Sequence, residues 1–176
     1  GSKMSLKKNI HISSKISNIA HKYNISVEGE IGEVGYFKGQ NSKGTDLIEA
    51  KTFASKSKVD AMAISVGNTH LQTSKVAKID YNKILDIQKI TKLPLVLHGS
   101  SGISNFMRKK IATKTNVAKF NIGTELRMIG CRALRDSYNK NIKNFDKISI
   151  IEPSIKELKK ATINVIKNIG PKSVKK

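Results

Sequence analysis

A single cysteine, Cys131, leaves no partner for an internal disulfide, so no oxidative staple holds this chain together. Apolar runs are short. None approaches the roughly 20 residues that a membrane-spanning helix needs, and the first residues lack the charged, apolar, small-residue order of a secretory leader. These absences point to a soluble cytoplasmic protein with no membrane role. Proline occurs only at positions 94, 153 and 171, and no repeat, low-complexity block or linker breaks the chain. One domain over residues 1–176 follows as the expectation. Arginine is scarce as well. Of 33 basic residues only Arg108, Arg127, Arg132 and Arg135 are arginine; all others are lysine.

That scarcity bears on the net charge of +20. Surfaces that grip phosphates or read bases lean on arginine. The lysines are instead spread through every segment, among abundant Ile and Asn, as general compositional drift would leave them. No specific nucleic-acid partner is expected. A basic nucleic-acid-binding protein is the least favoured reading, and it predicts affinity that falls steeply with salt. Hydrophobic content of 38% is enough for a packed core.

What the chain does have is two alternating periodicities. Leu6, Ile10, Ile16, Ile19, Ala20 and Tyr23 recur at helical spacing. "ISVEGEIGEVG" (25–35) reads as a strand with Val27, Gly29 and Ile31 on one face and Glu28 and Glu30 on the other. After the polar loop 36–44, Asp46 and Glu49 resemble a capping box that opens a helix with Leu47, Ala50 and Ala54 inward. "DAMAISVG" (60–67) is a second strand, and Asp80 caps a helix bearing Ile84, Ile87 and Ile90. "LPLVLHG" (93–99) is a third strand, and Ser104 caps a short helix with Met107 and Ile111. "VAKFNIG" (117–123) is a fourth. A long helix over about 125–145 turns Leu126, Ile129, Ala133, Leu134, Tyr138 and Ile142 inward. Pro153 suits the first turn of a C-terminal helix over about 153–169. Its apolar stripe (Ile155, Leu158, Val165, Ile169) serves equally as a core face or a subunit contact. Apolar strands alternating with helices predict an α/β fold with a parallel sheet.

Each predicted strand ends near a polar group: Glu30, His70, His98 and Asn121. In parallel α/β folds, ligands bind at that C-terminal edge. A lone histidine there is usually a hydrogen-bonded turn residue. Two on neighbouring strand ends can converge on one metal ion, although no third ligand is evident. His11 and His21 fall in the leading helix and read as solvated or partly buried. After His98, Gly99, Ser100, Ser101 and Gly102 precede a helix start, where free backbone N–H groups suit an anion. Asn121, Ile122, Gly123 and Thr124 repeat the arrangement on the next strand.

In this order, "VEGEIGEVG", "SVGNTHL", "LPLVLHGSSGI" and "KFNIGTELR" resemble the class II, zinc-dependent fructose-bisphosphate aldolases, nearest the branch with tagatose- and other ketose-bisphosphate aldolases. The resemblance implies a TIM (β/α)8 barrel, of which this chain holds the C-terminal half, strands five to eight with their helices. It implies a zinc ion held by three histidines, with His70 and His98 as the second and third. Glu30 matches a carboxylate near the metal, a supporting group or a ligand for a second cation. Gly99, Ser100 and Ser101 match a loop that grips a substrate phosphate, and Asn121, Ile122, Gly123 and Thr124 match a second phosphate and substrate loop. The implied substrate is a phosphorylated ketose, fructose or tagatose 1,6-bisphosphate, cleaved reversibly to dihydroxyacetone phosphate and glyceraldehyde 3-phosphate. Zinc would act as Lewis acid and a carboxylate would move the proton. The full-length form is expected to be a homodimer or homo-oligomer.

The chain departs from that pattern in three places. The family's "Asp-His" pair, which carries the catalytic Asp and the first zinc ligand, is absent, so no general acid/base lies in this sequence. Leu71 replaces the small residue, often Gly, that follows the zinc histidine. The loop 36–44 contains no acid, and Glu33 is the nearest carboxylate. A full barrel takes about 250 residues, so the chain reads as starting mid-barrel. The expectation is an inactive portion of a class II aldolase that exposes sheet edges and apolar strand faces. The alternative is a non-catalytic, phosphate-binding half barrel that needs a partner chain.

Overall fold

The computed structural model describes residues 1–36 and 43–170. The acid-free loop read over 36–44 therefore lies mostly outside the described residues. The chain opens with α1 (Leu6–Ala20) and a 3-10 turn (His21–Tyr23), then β1 (Glu28–Ile31), β2 (Gly35–Tyr36), α2 (Leu47–Lys56), β3 (Ala61–Ile64), β4 (Thr69–His70) and α3 (Tyr81–Ile90). It continues with β5 (Leu95–Leu97), a second 3-10 turn (Ser100–Gly102), α4 (Asn105–Lys114), β6 (Val117–Phe120), α5 (Thr124–Lys140) and α6 (Lys147–Ile169).

β1, β3, β5 and β6 pair in that order, every pair parallel. The predicted alternation explains which face the helices cover. Gly29, Ile31, Met62, Ile64, Leu95, Leu97 and Val117 are buried, and most of them pack with Phe53 of α2, Ile84 and Ile87 of α3, and Ile111 of α4. Gly29 is small because Phe53 and Val59 lie directly over it; a Cβ there would sit 2.7 Å from the Phe53 ring. Asp46, Asp80 and Ser104 accept hydrogen bonds from the first-turn N–H groups of α2, α3 and α4, as the sequence implies.

The face away from the helices carries the row Glu30–Ala63–Val96–Lys119, set by register across all four strands. Ala63 and Val96 are fully buried, yet neither belongs to the cluster packed with the helices. Charged side chains reach across this same face. Glu28 on β1 accepts from Lys119 Nζ on β6 at 2.6 Å and bonds His98 Nε2 at 2.8 Å. β1 and β6 are three strand spacings apart, about 14 Å, and these long side chains span that distance as a strap. The expected exposure of apolar strand faces is thus corrected: charged groups roof the open face. The edges are free as expected, since β1 and β6 each have one strand neighbour among the described residues.

Three helix readings also change. In α1, Ile16, Ile19 and Tyr23 are exposed, while Asn9 and Ser17 are buried and only Leu6 and Ile10 reach the core. A specific hydrogen bond turns the helix this way: Asn9 Nδ2 donates to the Glu30 carbonyl at the sheet edge, 2.8 Å away. α5 ends at Lys140 rather than 145; its Leu134 and Tyr138 are exposed, and Ile142 lies exposed beyond its end. It pairs with α6 at the end of the sheet, so only Gly130 is buried on it. α6 starts at Lys147, with Asp146 accepting from Ile148 and Ser149 N–H, and Pro153 lies in its second turn. The aspartate cap is the stronger start signal, and the proline, exposed at the surface, removes only one backbone donor.

Candidate active site

The chemistry-bearing side chains gather at the C-terminal edge of the sheet. Three backbone devices place them there. Gly67, at φ +94°, turns the chain off β3, where an added Cβ would meet the Lys78 carbonyl at 2.2 Å. Asn68, fully buried, accepts from Val66 N–H at 2.8 Å and donates to the His98 carbonyl at 2.9 Å, locking the two histidine segments together. Gly99 adopts φ +59°, and its α-carbon presses so close to the Thr69 carbonyl that a Cβ would come within 2.4 Å. His70 is therefore not at the end of β3 itself. It lies on β4, which pairs in parallel with β2 as a second small sheet above the first. Leu71, next in the chain, adopts φ 55°, a left-handed conformation that favours glycine.

This arrangement brings His70 and His98 together, with ring centroids 6.0 Å apart. The Tyr36 ring stands 5.1 Å from His70 on the other side. Burial, then the neighbouring His98 charge, lowers the His70 pKa below its usual value, with Glu30 acting in the opposite direction. His70 is thus held towards the neutral form that binds metal. The carboxylate on His98 is Glu28, which residue spacing did not single out from Glu30. Burial works to raise the Glu28 carboxyl, but hydrogen bonds and charge from Lys119 and His98 outweigh it and the net shift is downward. A proton on His98 Nε2 shared with this carboxylate leaves Nδ1 as the lone-pair nitrogen.

Two imidazoles on one tetrahedral zinc set their centroids about 5 Å apart, so the observed spacing is one small ring rotation wider. The donor chemistry fits zinc as two of its ligands. It stops there: among the described residues no group of three His, Cys, Asp or Glu side chains is arranged to hold a metal ion.

Beside the histidines lies a hollow of about 470 Å³, lined by His70, Gly99, Ser101 and the run Asn121–Thr124, with Leu71, Phe120 and Arg127 at its margins. It has the chemistry of an anion pocket. The N-terminus of α5 opens into it at Gly123, which as N-cap has no side chain to satisfy the first-turn N–H groups, unlike the N-cap residues of α2, α3, α4 and α6. Ser100 is not part of the lining. Its hydroxyl donates to the Leu97 carbonyl at 2.8 Å and its N–H to the Asn121 carbonyl at 3.0 Å, so it ties the two loops together from below. Ser101 Oγ accepts from Glu125 N–H at 3.1 Å. Glu125 in turn binds Arg108 Nη1 at 2.9 Å and Lys75 Nζ at 2.6 Å. Arg108 is 1% exposed, a buried cation beneath the loop. Sequence spacing offered no sign of this Glu125–Arg108 pair beyond the rarity of arginine. Elsewhere, His21 bonds Asp60 at 2.9 Å and His11 is exposed, so neither joins the site. Among the described residues no helix is long and apolar enough to cross a membrane.

Residues 1–173 match the family model described as fructose-bisphosphate aldolase class-II. A curated relative, the 6-phospho-5-dehydro-2-deoxy-D-gluconate aldolase of Shouchella clausii, is 30% identical over 97% of this chain and 59% of its own length. The crystal structure of the YdjI aldolase from Escherichia coli K12 superposes with a TM-score of 0.78 at 26% identity, over 97% of this chain and 58% of that one. The fructose-bisphosphate aldolase of Campylobacter jejuni gives 0.77 at 18% identity, over 96% of this chain and 57% of that one, a likeness of fold alone. The chain spans a little under three-fifths of the length of these relatives.

Proposed function

The chain belongs to the class II fructose-bisphosphate aldolase family, its fold being the C-terminal part of the family's (β/α)8 barrel, and from that premise we propose that it carries the phosphate-gripping and two-histidine portion of an aldolase site for a phosphorylated ketose. One observation carries this reading: His70 and His98 converge beside the hollow formed by Gly99, Ser101 and Asn121–Thr124. The substrate class is a fructose or tagatose 1,6-bisphosphate or a related ketose phosphate, cleaved to dihydroxyacetone phosphate and an aldehyde. The family is generally zinc-dependent, and zinc held by His70 and His98 would supply Lewis-acid polarisation of the substrate carbonyl.

The chain's own residues do the rest. The loops around Ser101 and Gly123 take the substrate phosphate on backbone N–H groups and the α5 N-terminus. Ser100, buried beneath them, keeps the loops in register. Glu28 orients the His98 ring, and Lys119 holds Glu28 ionised. Glu30 faces His70 as a supporting charge. With two metal donors and no aspartate in the catalytic position, the isolated chain is expected to bind phosphate and to cleave nothing.

A second reading, a non-catalytic half barrel that works with a partner chain, is favoured by the free edges of β1 and β6. A partner pairing there could bring a third donor to the histidines. The test is titration of the purified chain with Co²⁺ and with inorganic phosphate, alongside an assay on fructose and tagatose bisphosphates. Expected are weak Co²⁺ binding abolished in His70→Ala and His98→Ala, phosphate binding weakened in Ser101→Ala, and no turnover. Chelator-sensitive cleavage by the chain alone would overturn the incomplete-site reading. Absence of both metal and phosphate binding would overturn the proposal itself.

A further inference from the structure

Arg108 and Asn168 each keep one buried polar atom idle. Arg108, 1% exposed, commits Nη1 to Glu125 and Nη2 to the side-chain oxygen of Asn105, but its Nε–H has no acceptor among the described residues. Asn168, in the last turn of α6, donates its amide to the Asn105 carbonyl at 3.1 Å, and its Oδ1 has no donor among the described residues. Asn105 bonds both side chains, so the idle donor and the idle acceptor belong to one neighbourhood. Buried polar atoms in a folded protein are nearly always paired, so each idle one calls for an explanation.

Both side chains line one hollow of about 460 Å³ between α4, α5 and α6. Among the described residues, none lines both this hollow and the one beside the histidines. Its size falls in the range of small-molecule sites. Ile129, Ala161 and Val165 give it apolar walls. The charges in the lining are already matched, Arg108 with Glu125 at 2.9 Å and Lys160 with Glu157 at 2.7 Å. An incoming ion of either sign would shed its water and find no free counter-charge in the lining. A neutral group loses far less on entering. What the wall offers is one N–H donor and one carbonyl acceptor. That is the complement of an amide, whose C=O accepts and whose N–H donates. Both idle atoms are shut from water, so a ligand meets them only when a side chain yields. The exposed Asn105, which bridges the two residues, is placed to do so.

We propose that this hollow binds a small neutral molecule with an amide edge, a carboxamide or lactam on a flat apolar body. Arg108 Nε–H donates to the ligand carbonyl, the ligand N–H donates to Asn168 Oδ1, and Ile129, Ala161 and Val165 cover the ring. The site is independent of the aldolase reading, since it uses no phosphate, metal or turnover.

The experiment is titration of the full chain, followed by saturation-transfer NMR and calorimetry. Nicotinamide and benzamide are the probes, and nicotinate and benzoate are their charged counterparts. The variants are Ala161→Phe, which fills the hollow, and Asn168→Leu, which removes the acceptor; circular dichroism checks that each folds. The expected result is one amide per chain with a Kd of about 1 mM or tighter, the range open to so small a ligand. Nicotinate and benzoate bind roughly tenfold more weakly or worse. Ala161→Phe abolishes amide binding, and Asn168→Leu weakens it by roughly tenfold, as loss of a buried hydrogen bond predicts. Saturating inorganic phosphate leaves amide binding unchanged. Absence of saturable binding by both amides would overturn the proposal, as would equal or tighter binding of the carboxylates. Unaltered binding in whichever of the two variants folds would also overturn it. Displacement of the amide by phosphate would place the ligand in the loop hollow instead and refute the separate site.

Discussion

The Glu125–Arg108 pair makes an asymmetric prediction about stability. Arg108 is 1% exposed and its guanidinium faces Glu125 at 2.9 Å; Glu125 also holds Lys75 at 2.6 Å and keeps some contact with water. Glu125→Gln therefore strands a buried cation, at a cost of roughly 3–5 kcal/mol. Arg108→Met leaves the carboxylate with Lys75 and fills the stem volume with an apolar chain, so the loss is nearer 1–2 kcal/mol. With both changes no fully buried charge is left unpaired; Lys75 loses its carboxylate but is partly exposed to water. The double variant should cost about as much as Arg108→Met alone, so the coupling equals the cost of Glu125→Gln, roughly 3–5 kcal/mol. The assay is equilibrium urea unfolding of the four proteins. A difference of about 2 kcal/mol between the single variants moves the midpoint by roughly 1 M at ordinary urea slopes. Equal costs for the two single variants, or strict additivity in the double, would refute the view that Arg108 is a buried charge that depends on Glu125.

Further outcomes follow from single positions. Leu71→Gly should raise stability by up to about 1 kcal/mol, because it relieves a left-handed backbone at φ 55° on an exposed side chain; a lower melting temperature would show that the leucine packs usefully. Gly99→Ala should cost more than about 1 kcal/mol and disturb phosphate binding, since its Cβ meets the Thr69 backbone; unchanged calorimetry would contradict the close approach. Glu28→Gln should weaken Co²⁺ binding by roughly 10–100-fold, the usual effect of removing a carboxylate from a ligating histidine, and an unaltered affinity would show that His98 orients itself. Glu125 has its carboxyl pKa held below 4.5 by Lys75 and Arg108 despite burial. Its contribution is complete above that value and is lost as pH falls through the lower folded pKa, so Arg108→Met should flatten the acid limb of stability against pH.

The order of elements was legible because each strand buries one face on helices. That is why Val27, Gly29 and Ile31 segregate cleanly from Glu28 and Glu30. Aspartate and serine caps located the starts of α2, α3 and α4. Reading failed where one element meets another through few residues. The apolar spacing of α1 is a true helical stripe, yet Asn9 overrides it with one bond to the Glu30 carbonyl. α6 looked as if it began at Pro153 because proline is a familiar first-turn residue, whereas Asp146 had the stronger claim. At the site, the resemblance pointed to His70, His98 and the two loops, which the structure brings to one rim. It did not reveal that Ser100 faces inward, that Asn68 bridges the two histidine segments, or that Glu28 rather than Glu30 meets His98. Those facts depend on distances between strands, which spacing along one chain does not encode.

The strap from Glu28 to Lys119 also decides how this sheet meets solvent. Water on the open side wets a carboxylate, an ammonium and an imidazole, not the alanine and valine beneath them. A bare second face would call for another layer of protein, yet three side chains finish it. Because the finish is made of charge, it responds to ionic strength where a layer of packed leucines would not. Concentrated salt should therefore uncover a small greasy patch at the heart of the sheet, visible as uptake of a hydrophobic dye while the helices behind it stay intact.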